Sequence, residues 1–268
     1  MTCSIHPTAI VDSRAEIGAG VHLGAYSLVG PDVKLGDRTR IGPHVVIEGH
    51  TTIGPESEIF QFAAIGAAPQ DLKYRGEPST LVLGARNKVR EFVTLHPGTA
   101  AGTMSTIIGD NNLFMANSHV GHDCRIGSNN VFANSVALAG HVTIFNNVIL
   151  GGMVGIHQHC RIGNYVIVSA GSMVGHDIPP YCMAQGDRCF LRGVNLIGLE
   201  RAGMTSDEIN AIKKTYRHLF STVGHVKEKI STLPPELAEH PKVKAMLDFI
   251  AESHRGVMNP LKDTKHEE

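Results

Sequence analysis

The sequence predicts a parallel β-helix of six-residue repeats followed by a small all-α C-terminal domain. Two files of aliphatic residues at period six carry that expectation, together with a composition rich in glycine and poor in aromatics. Stepping by six from Ile5 gives Val11, Ile17, Leu23, Val29, Leu35, Ile41, Ile47, Ile53, Ile59 and Ile65, every one aliphatic. The register fails at Asp71 and Glu77 and returns at Leu83, Val89 and Leu95. After a second break it resumes one residue out of phase: Ile108, Phe114, Val120, Ile126, Phe132, Leu138, Ile144, Leu150, Ile156, Ile162, Val168 and Val174. In a chain that is 42% hydrophobic, twelve such successes arise by chance about once in 30,000 trials.

Period six makes each coil a triangle of three short strands, with residues 18 apart stacked on neighbouring coils at ~4.8 Å. Glycine often follows the aliphatic residue, as in Ile17-Gly18, Ile53-Gly54 and Ile162-Gly163. Glycine suits sites of sharp bending and close backbone approach. From about Ile5 to Pro180 the period allows nine or ten coils, and the β-helical domain is expected over residues 1–190. The two breaks, 71–82 and 98–106, are expected to leave the wall as loops, where binding residues concentrate on a rigid scaffold. The first carries Asp71, Lys73, Tyr74, Arg75 and Glu77.

Beyond Pro179-Pro180 the pattern changes. Thr205-Ser206-Asp207-Glu208 reads as a helix N-cap, followed by Ile209, Ile212, Tyr216, Leu219 and Phe220 at helical spacing. Pro234 and Pro241 open further short helices. A helical domain is therefore expected over 191–256, positioned to cover an end of the prism, with a flexible tail over 257–268.

Composition agrees. Tryptophan is absent, aromatics are 5% and glycines number 29, as suits a core of small and β-branched side chains. Lys plus Arg are 24 against 25 Asp plus Glu, so no global charge draws the chain to nucleic acid. Five cysteines, without a C-x-x-C pair or a secretory signal, read as reduced thiols of a cytoplasmic protein.

Of 16 histidines, seven fall between His96 and His176. Stacked by 18, Asp123, His141 and His159 form one file, and His122, Gly140 and Gln158 the adjacent one. His96 and His119 approach the same patch from neighbouring coils, and His157 lies beside it. Four readings compete. The residues decorate a solvated wall; or they hold a metal, as in hexapeptide-repeat carbonic anhydrases; or neutral His122 is a general base oriented by Asp123; or Cys124, sharing a strand face with His122, is a nucleophile.

The segments Ser118-His119-Val120-Gly121-His122-Asp123-Cys124, Leu138-Ala139-Gly140-His141-Val142, His157-Gln158, Asp177-Ile178-Pro179-Pro180-Tyr181 and Gln70-Asp71-Leu72-Lys73-Tyr74 resemble the UDP-N-acetylglucosamine acyltransferases of lipid A synthesis. The likeness runs from about Ile5 to Gly256. It implies a left-handed β-helix and a homotrimer with active sites between subunits. The implied donor is an (R)-3-hydroxyacyl thioester of acyl carrier protein and the implied acceptor is UDP-N-acetylglucosamine, with no metal or redox cofactor. Carried over by position, His122 is the base, Asp123 its partner, and the Gly140 N–H the oxyanion donor. Asp71, Lys73, His96, His119, His141, His157 and Gln158 contact substrate, Ala170 limits acyl length, and Asn195 and Arg201 grip the nucleotide. Acyl carrier protein is acidic, so a local basic patch on the trimer is expected to receive it.

The chain departs from the family pattern at Ile197, where an acidic residue is frequent, and at Glu200-Arg201-Ala202, where basic residues can be consecutive. A 3-amino analogue is therefore an alternative acceptor. The N-acyltransferase of the same pathway carries an extra N-terminal domain, for which repeats starting at Ile5 leave no room. A non-catalytic β-helix that binds partners through its loops is the alternative from another class.

Overall fold

The computed structural model describes residues 2–221 and 225–260. Two-residue strands succeed one another around a left-handed triangular coil, and their stacks form three faces. Face 1 begins at Ser4–Ile5 and has 11 strands, face 2 begins at Ile10–Val11 and has nine, and face 3 begins at Glu16–Ile17 and has eight. Pairing is parallel between successive coils. His22 opposes Arg40, whereas Glu58 opposes Lys88 and Thr94 opposes His119 across the two breaks. The coils beyond each break are thus in full register with those before it.

Two inward positions per strand fill the prism. The period-six aliphatics are sealed from water, as with Leu23, Ile47, Leu95, Leu138 and Ile162 at 0% exposure. The residue two places earlier also points inward and is usually small, as with Val21, Ala63, Cys124 and Val142. A small second residue fits most readily beside the aliphatic in so narrow a triangle, with Leu81 the large exception. Face 1 accommodates one large pair, Phe114 and Phe132, stacked at 4.6 Å.

The glycines after the aliphatic residue serve close approach. A Cβ on Gly54 would lie 2.5 Å from the Gly84 carbonyl carbon, and one on Gly24 2.6 Å from that of Gly42. The bend itself comes two residues later and is mostly not glycine: Tyr26, His44, Asp123 and His141 have φ of 56°, 56°, 59° and 62°. Left-handed backbone costs a non-glycine residue roughly 1 kcal/mol. Many such corners recover a hydrogen bond to the preceding coil, as in His44 N–H to Ala25 O and His141 N–H to His122 O, both at 2.9 Å.

At the corner between faces 3 and 1, buried Asn87, Asn112 and Asn130 form an amide ladder. Asn87 Oδ1 accepts from Asn112 N at 2.9 Å, Asn112 Oδ1 from Asn130 N at 2.9 Å, and Asn130 Oδ1 from Val148 N at 2.7 Å.

The expected boundaries need correction. Thr80–Leu83 and Ser105–Ile108 are four-residue strands of face 3, with Leu81 and Thr106 buried at 0%. The first loop therefore ends before Thr80 rather than at 82, and the second before Ser105 rather than at 106. Phe190–Val194 pairs antiparallel with Cys182–Gln185, so the helices start at Leu196 and not at 191. They are α1 (Leu196–Arg201), α2 (Ser206–Phe220), α3 (Val226–Ile230), α4 (Pro235–Ala238) and α5 (Pro241–Ala251). A capping box between Thr205 and Glu208 starts α2.

The helices pack at the C-terminal end of the prism. Arg161 stacks on Phe249 at 4.6 Å and pairs with Glu252 at 3.0 Å, while buried Asp177 accepts from Ser253 Oγ at 2.7 Å. The segment expected as a flexible tail is anchored at its start: Val257 bridges Asp177, Met258 is 2% exposed and Pro260 bridges Leu191. The rest of that segment, 261–268, lies outside the described residues. No helix among the described residues is long and apolar enough to cross a membrane.

Candidate active site

Corners between faces 2 and 3 build the site. Each follows a face-2 strand, so His119–Val120, Ala137–Leu138 and Gly155–Ile156 are followed by His122-Asp123, Gly140-His141 and Gln158-His159. The left-handed residue of each corner stacks on the next: the His141 and His159 rings are parallel at 4.5 Å. His122 Nδ1 lies 2.8 Å from Asp123 Oδ2. The His122 ring crosses that of His141 edge-on at 5.0 Å, and His141 Nε2 is 4.0 Å from Asp123 Oδ2.

Asp123 is the most enclosed charge of the group, its side chain at 0% exposure. The second loop folds over it. Thr99 donates to Oδ2 from Oγ1 at 2.7 Å and from its backbone N at 3.1 Å, and Thr103 N donates to Oδ1 at 2.7 Å. Burial pushes this carboxyl upward, but the bonds from His122, Thr99 and Thr103 outweigh it and hold the group below its ordinary range. Gly102 has no side chain because a Cβ there would collide with the Asp123 carboxylate. Thr99, Gly102 and Thr103 went unidentified as functional in the sequence. Their one visible signal is a break of small and hydroxyl residues, Gly98-Thr99-Ala100-Ala101-Gly102-Thr103, placed one coil before Asp123.

The other face of His122 opens on a cleft of about 620 Å³ along the outside of face 2. His96, His119 and His157 line it with Gly140. A Cβ on Gly140 would stand 2.5 Å from His122 Cε1 and Nε2, so the missing side chain is what seats the imidazole. No hydrogen bond among the described residues uses the Gly140 N–H. Three imidazoles around His122, those of His96, His119 and His141, are held toward the neutral form. Burial brings His96 down to about 4, with His119 and His122 adding to the effect. Burial also lowers His119, and lowers His141 against the opposing pull of Asp123. His119 is fixed by Thr94 Oγ1, 2.7 Å from its Nδ1.

Two of the competing chemistries can be tested on this geometry. Cys124 is not a nucleophile. The chain turns the corner at Asp123, so Cys124 points into the core at 0% exposure, its Sγ 3.2 Å from Ala139 O, and burial pushes the thiol up to about 12. His122, Asp123 and His141 offer ligand atoms within 4.8 Å of one another. A carboxylate has about four lone-pair sites, and Asp123 already accepts from His122, Thr99 and Thr103. A cation there would have to displace those donors, so the donor set fits an orienting carboxylate better than a ligand.

The remaining residues divide. Asp71 is half-buried in the first loop, next to Gln70, and accepts hydrogen bonds within that loop. Gln70 lines the cleft beside it, as does Met173, which the sequence did not single out. Lys73 is exposed, with its backbone N–H donating to Asp71 Oδ1 at 3.0 Å. Gln158 is exposed and outside the cleft lining; its carbonyl oxygen lies 3.3 Å from His157 Nδ1. Ala170 sits on the corner between faces 1 and 2, away from the His122 corner of the same chain. Asn195 and Arg201 line a second cleft of about 700 Å³ with Val131, Ile149 and Ile167. Asn195 also caps α1, accepting from Gly198 N at 3.1 Å, and donates to Tyr165 O at 2.9 Å. Within one chain, Ala170, Asn195 and Arg201 are not brought to His122.

Known proteins share this architecture. Residues 14–49 and 105–140 match the bacterial transferase hexapeptide model, and residues 177–258 match the model described as UDP-N-acetylglucosamine O-acyltransferase, domain 2. The chain is 44% identical over 253 residues to the acyl-[acyl-carrier-protein]–UDP-N-acetylglucosamine O-acyltransferase of Thermodesulfovibrio yellowstonii, covering 94% of this chain and 98% of that one. The Francisella novicida UDP-N-acetylglucosamine acyltransferase superposes with a TM-score of 0.93 at 36% identity, covering 96% of this chain and 95% of that one. The Campylobacter jejuni UDP-N-acetylglucosamine acyltransferase gives 0.91 at 37%, covering 96% and 100%. With fold, corner chemistry and nearly full-length similarity in agreement, the chain belongs to the UDP-N-acetylglucosamine O-acyltransferase family.

Proposed function

We propose that this protein transfers an (R)-3-hydroxyacyl group from acyl carrier protein to the 3-hydroxyl of UDP-N-acetylglucosamine, the first step of lipid A biosynthesis. The observation that carries the reading is the His122–Asp123 pair, 2.8 Å apart, with the carboxylate walled in by Thr99 and Thr103 and the far side of the ring open to the cleft beside Gly140. Asp123 holds the imidazole with its proton on Nδ1, leaving Nε2 as acceptor. Nε2 takes the proton of the sugar hydroxyl as its oxygen attacks the thioester carbonyl. The Gly140 N–H donates to the oxyanion, a kind of contact worth roughly 3 kcal/mol. When the C–S bond breaks, the electron pair leaves on sulfur and the imidazolium returns the proton to it. The thioester is already activated, so the reaction calls on neither metal nor redox cofactor.

The apolar floor of the cleft, including Ala137, Gly155 and Ile156, suits the acyl chain, and the imidazoles of His96 and His119, which burial holds toward the neutral form, suit uncharged hydroxyl and amide groups. We place Asn195 and Arg201 on the nucleotide of a neighbouring chain's site, in a homotrimer. Support comes from two different apolar surfaces on each chain. One is the outer side of face 2 with Ile10, Leu28 and Val46; the other is the part of face 1 carrying Val131, Ile149 and Ile167. Unlike surfaces meet head to tail, and such contacts stay finite only by closing a ring.

The test is transfer from a 3-hydroxyacyl carrier protein to UDP-N-acetylglucosamine, run beside His122→Ala. The expected loss in the variant is about 10³-fold. A wild type that acylates only the 3-amino analogue of the sugar replaces the acceptor in this reading. A wild type inert toward both sugars sinks it.

A further inference from the structure

The first loop is bound to the site through one side chain. Within residues 67–79 the hydrogen bonds are mostly internal. Asp71 accepts from Lys73 N and Tyr74 N, Tyr74 Oη donates to Glu77 O at 3.1 Å, and Arg75 N donates to Glu77 Oε2 at 2.8 Å. Among the described residues, one hydrogen bond joins this segment to another part of the chain: Ala100 N donates to Glu77 Oε1 at 2.7 Å. Ala100 sits in the second loop, directly after Thr99 and three residues before Thr103, the two residues that hold the Asp123 carboxylate. At the other end of the first loop, Gln70 lines the cleft, with Asp71 next to it in the chain.

We propose that Glu77 is a positioning residue that fastens the cleft-lining loop to the Asp123 cradle, so that seating the sugar acceptor and orienting His122 are one mechanical event. The proposal rests on the acyl-transfer reading for its substrate, and adds that the two inserted loops act as a unit. Displacement of Gln70 and Asp71 by a bound acceptor is passed through the Arg75–Glu77 turn to Ala100. From there it reaches Thr99, which contacts Asp123 through both its amide and its hydroxyl. Glu77 touches neither His122 nor the cleft, so its effect runs wholly through the cradle.

The experiment compares the full-length wild type with Glu77→Ala and Glu77→Gln. Glutamine keeps one carbonyl oxygen for the Ala100 N–H while giving up the bond from Arg75 N–H, which is internal to the loop, and alanine keeps neither. The expected result is a kcat about tenfold lower in Glu77→Ala together with a raised KM for UDP-N-acetylglucosamine, since small misplacements of a catalytic pair are costly. Glu77→Gln should recover most of both. A second readout needs no substrate: in protein labelled at histidine, the His122 ring Nδ1 resonance should move in Glu77→Ala and stay near its wild-type position in Glu77→Gln. Unchanged kcat and an unmoved resonance in Glu77→Ala overturn the proposal, and so do equal losses in both variants. If the wild type itself fails to transfer, the substrate reading falls, while the resonance still decides whether Glu77 governs His122.

Discussion

Two corners of the same prism use one backbone geometry for opposite ends. Between faces 1 and 2, the left-handed positions of the N-terminal coils carry Tyr26, His44, Phe62 and Phe92, whose rings stack in open solvent at 5.2, 5.3 and 5.1 Å. Between faces 2 and 3, the same position carries Asp123, His141 and His159, and Asp123 is sealed. Coil shape is the same at both corners, as are the spacing and the sign of φ. What differs is that two insertions enter the chain near the second corner and fold over it. The repeat supplies side chains at fixed spacing, while a reactive group needs enclosure and directed hydrogen bonds, which only material outside the repeat provides.

That contrast can be broken most severely at Asp123. Asp123→Asn keeps the shape but removes the charge and sets amide hydrogens against the Thr99 and Thr103 donors; kcat should fall about 10²-fold or more in the transfer assay. The same variant sharpens the contrast through pH. The Asp123 carboxyl is held below its ordinary range, so its ionised form favours the folded state above that range. The benefit is lost as pH falls through the folded pKa. Thermal unfolding measured from neutral into acid solution should therefore show the wild-type advantage over Asp123→Asn shrinking on acidification. An advantage that grew in acid would contradict the assignment.

Next in size is Gly140→Ala. The added methyl would contact the His122 ring edge, where Nε2 lies 2.5 Å from the ideal Cβ position. Because the methyl meets one side-chain ring and no backbone, the chain should still fold, with kcat down about tenfold or more as the imidazole is displaced. Near wild-type turnover would mean that the ring has room to move. The smallest effect belongs to the aromatic corner. Phe62→Ser removes two stacked contacts of roughly 0.5–1.5 kcal/mol each. It should lower Tm by several degrees and leave kcat per folded protein unchanged; a loss of turnover would show that this corner, too, serves the site.

The scaffold was legible because an inward aliphatic every sixth residue has no substitute in so narrow a core. Even the one-residue phase change was visible, at the point where the second loop enters. Boundaries were less legible. Leu81 lies outside the period-six file, and Thr106 is a polar residue in a buried place, so each read as loop. Cys124 misled for a related reason. Strand logic pairs it with His122, but the corner at Asp123 turns the chain between them and sends the thiol inward. The His122–Asp123 pairing followed from adjacency, whereas the cradle did not, because half of its donors are backbone amides that no residue type announces. Asn195 holds a structural duty that the sequence did not announce, as a cap visible only once α1 has a start.

Repetition carries a hazard that the amide ladder of Asn87, Asn112 and Asn130 addresses. Coils that look alike to one another can dock one step early or late during folding and bury nearly the same apolar area. Inward aliphatics cannot tell these alternatives apart. An asparagine can, because a mismatched partner leaves a buried amide without hydrogen bonds, at a cost of about 1–3 kcal/mol. The ladder begins just beyond the first insertion and spans the second, where the number of residues per coil changes and miscounting is easiest. The ladder thereby favours the one register in which the coils on either side of the second loop are counted correctly, as a checksum would.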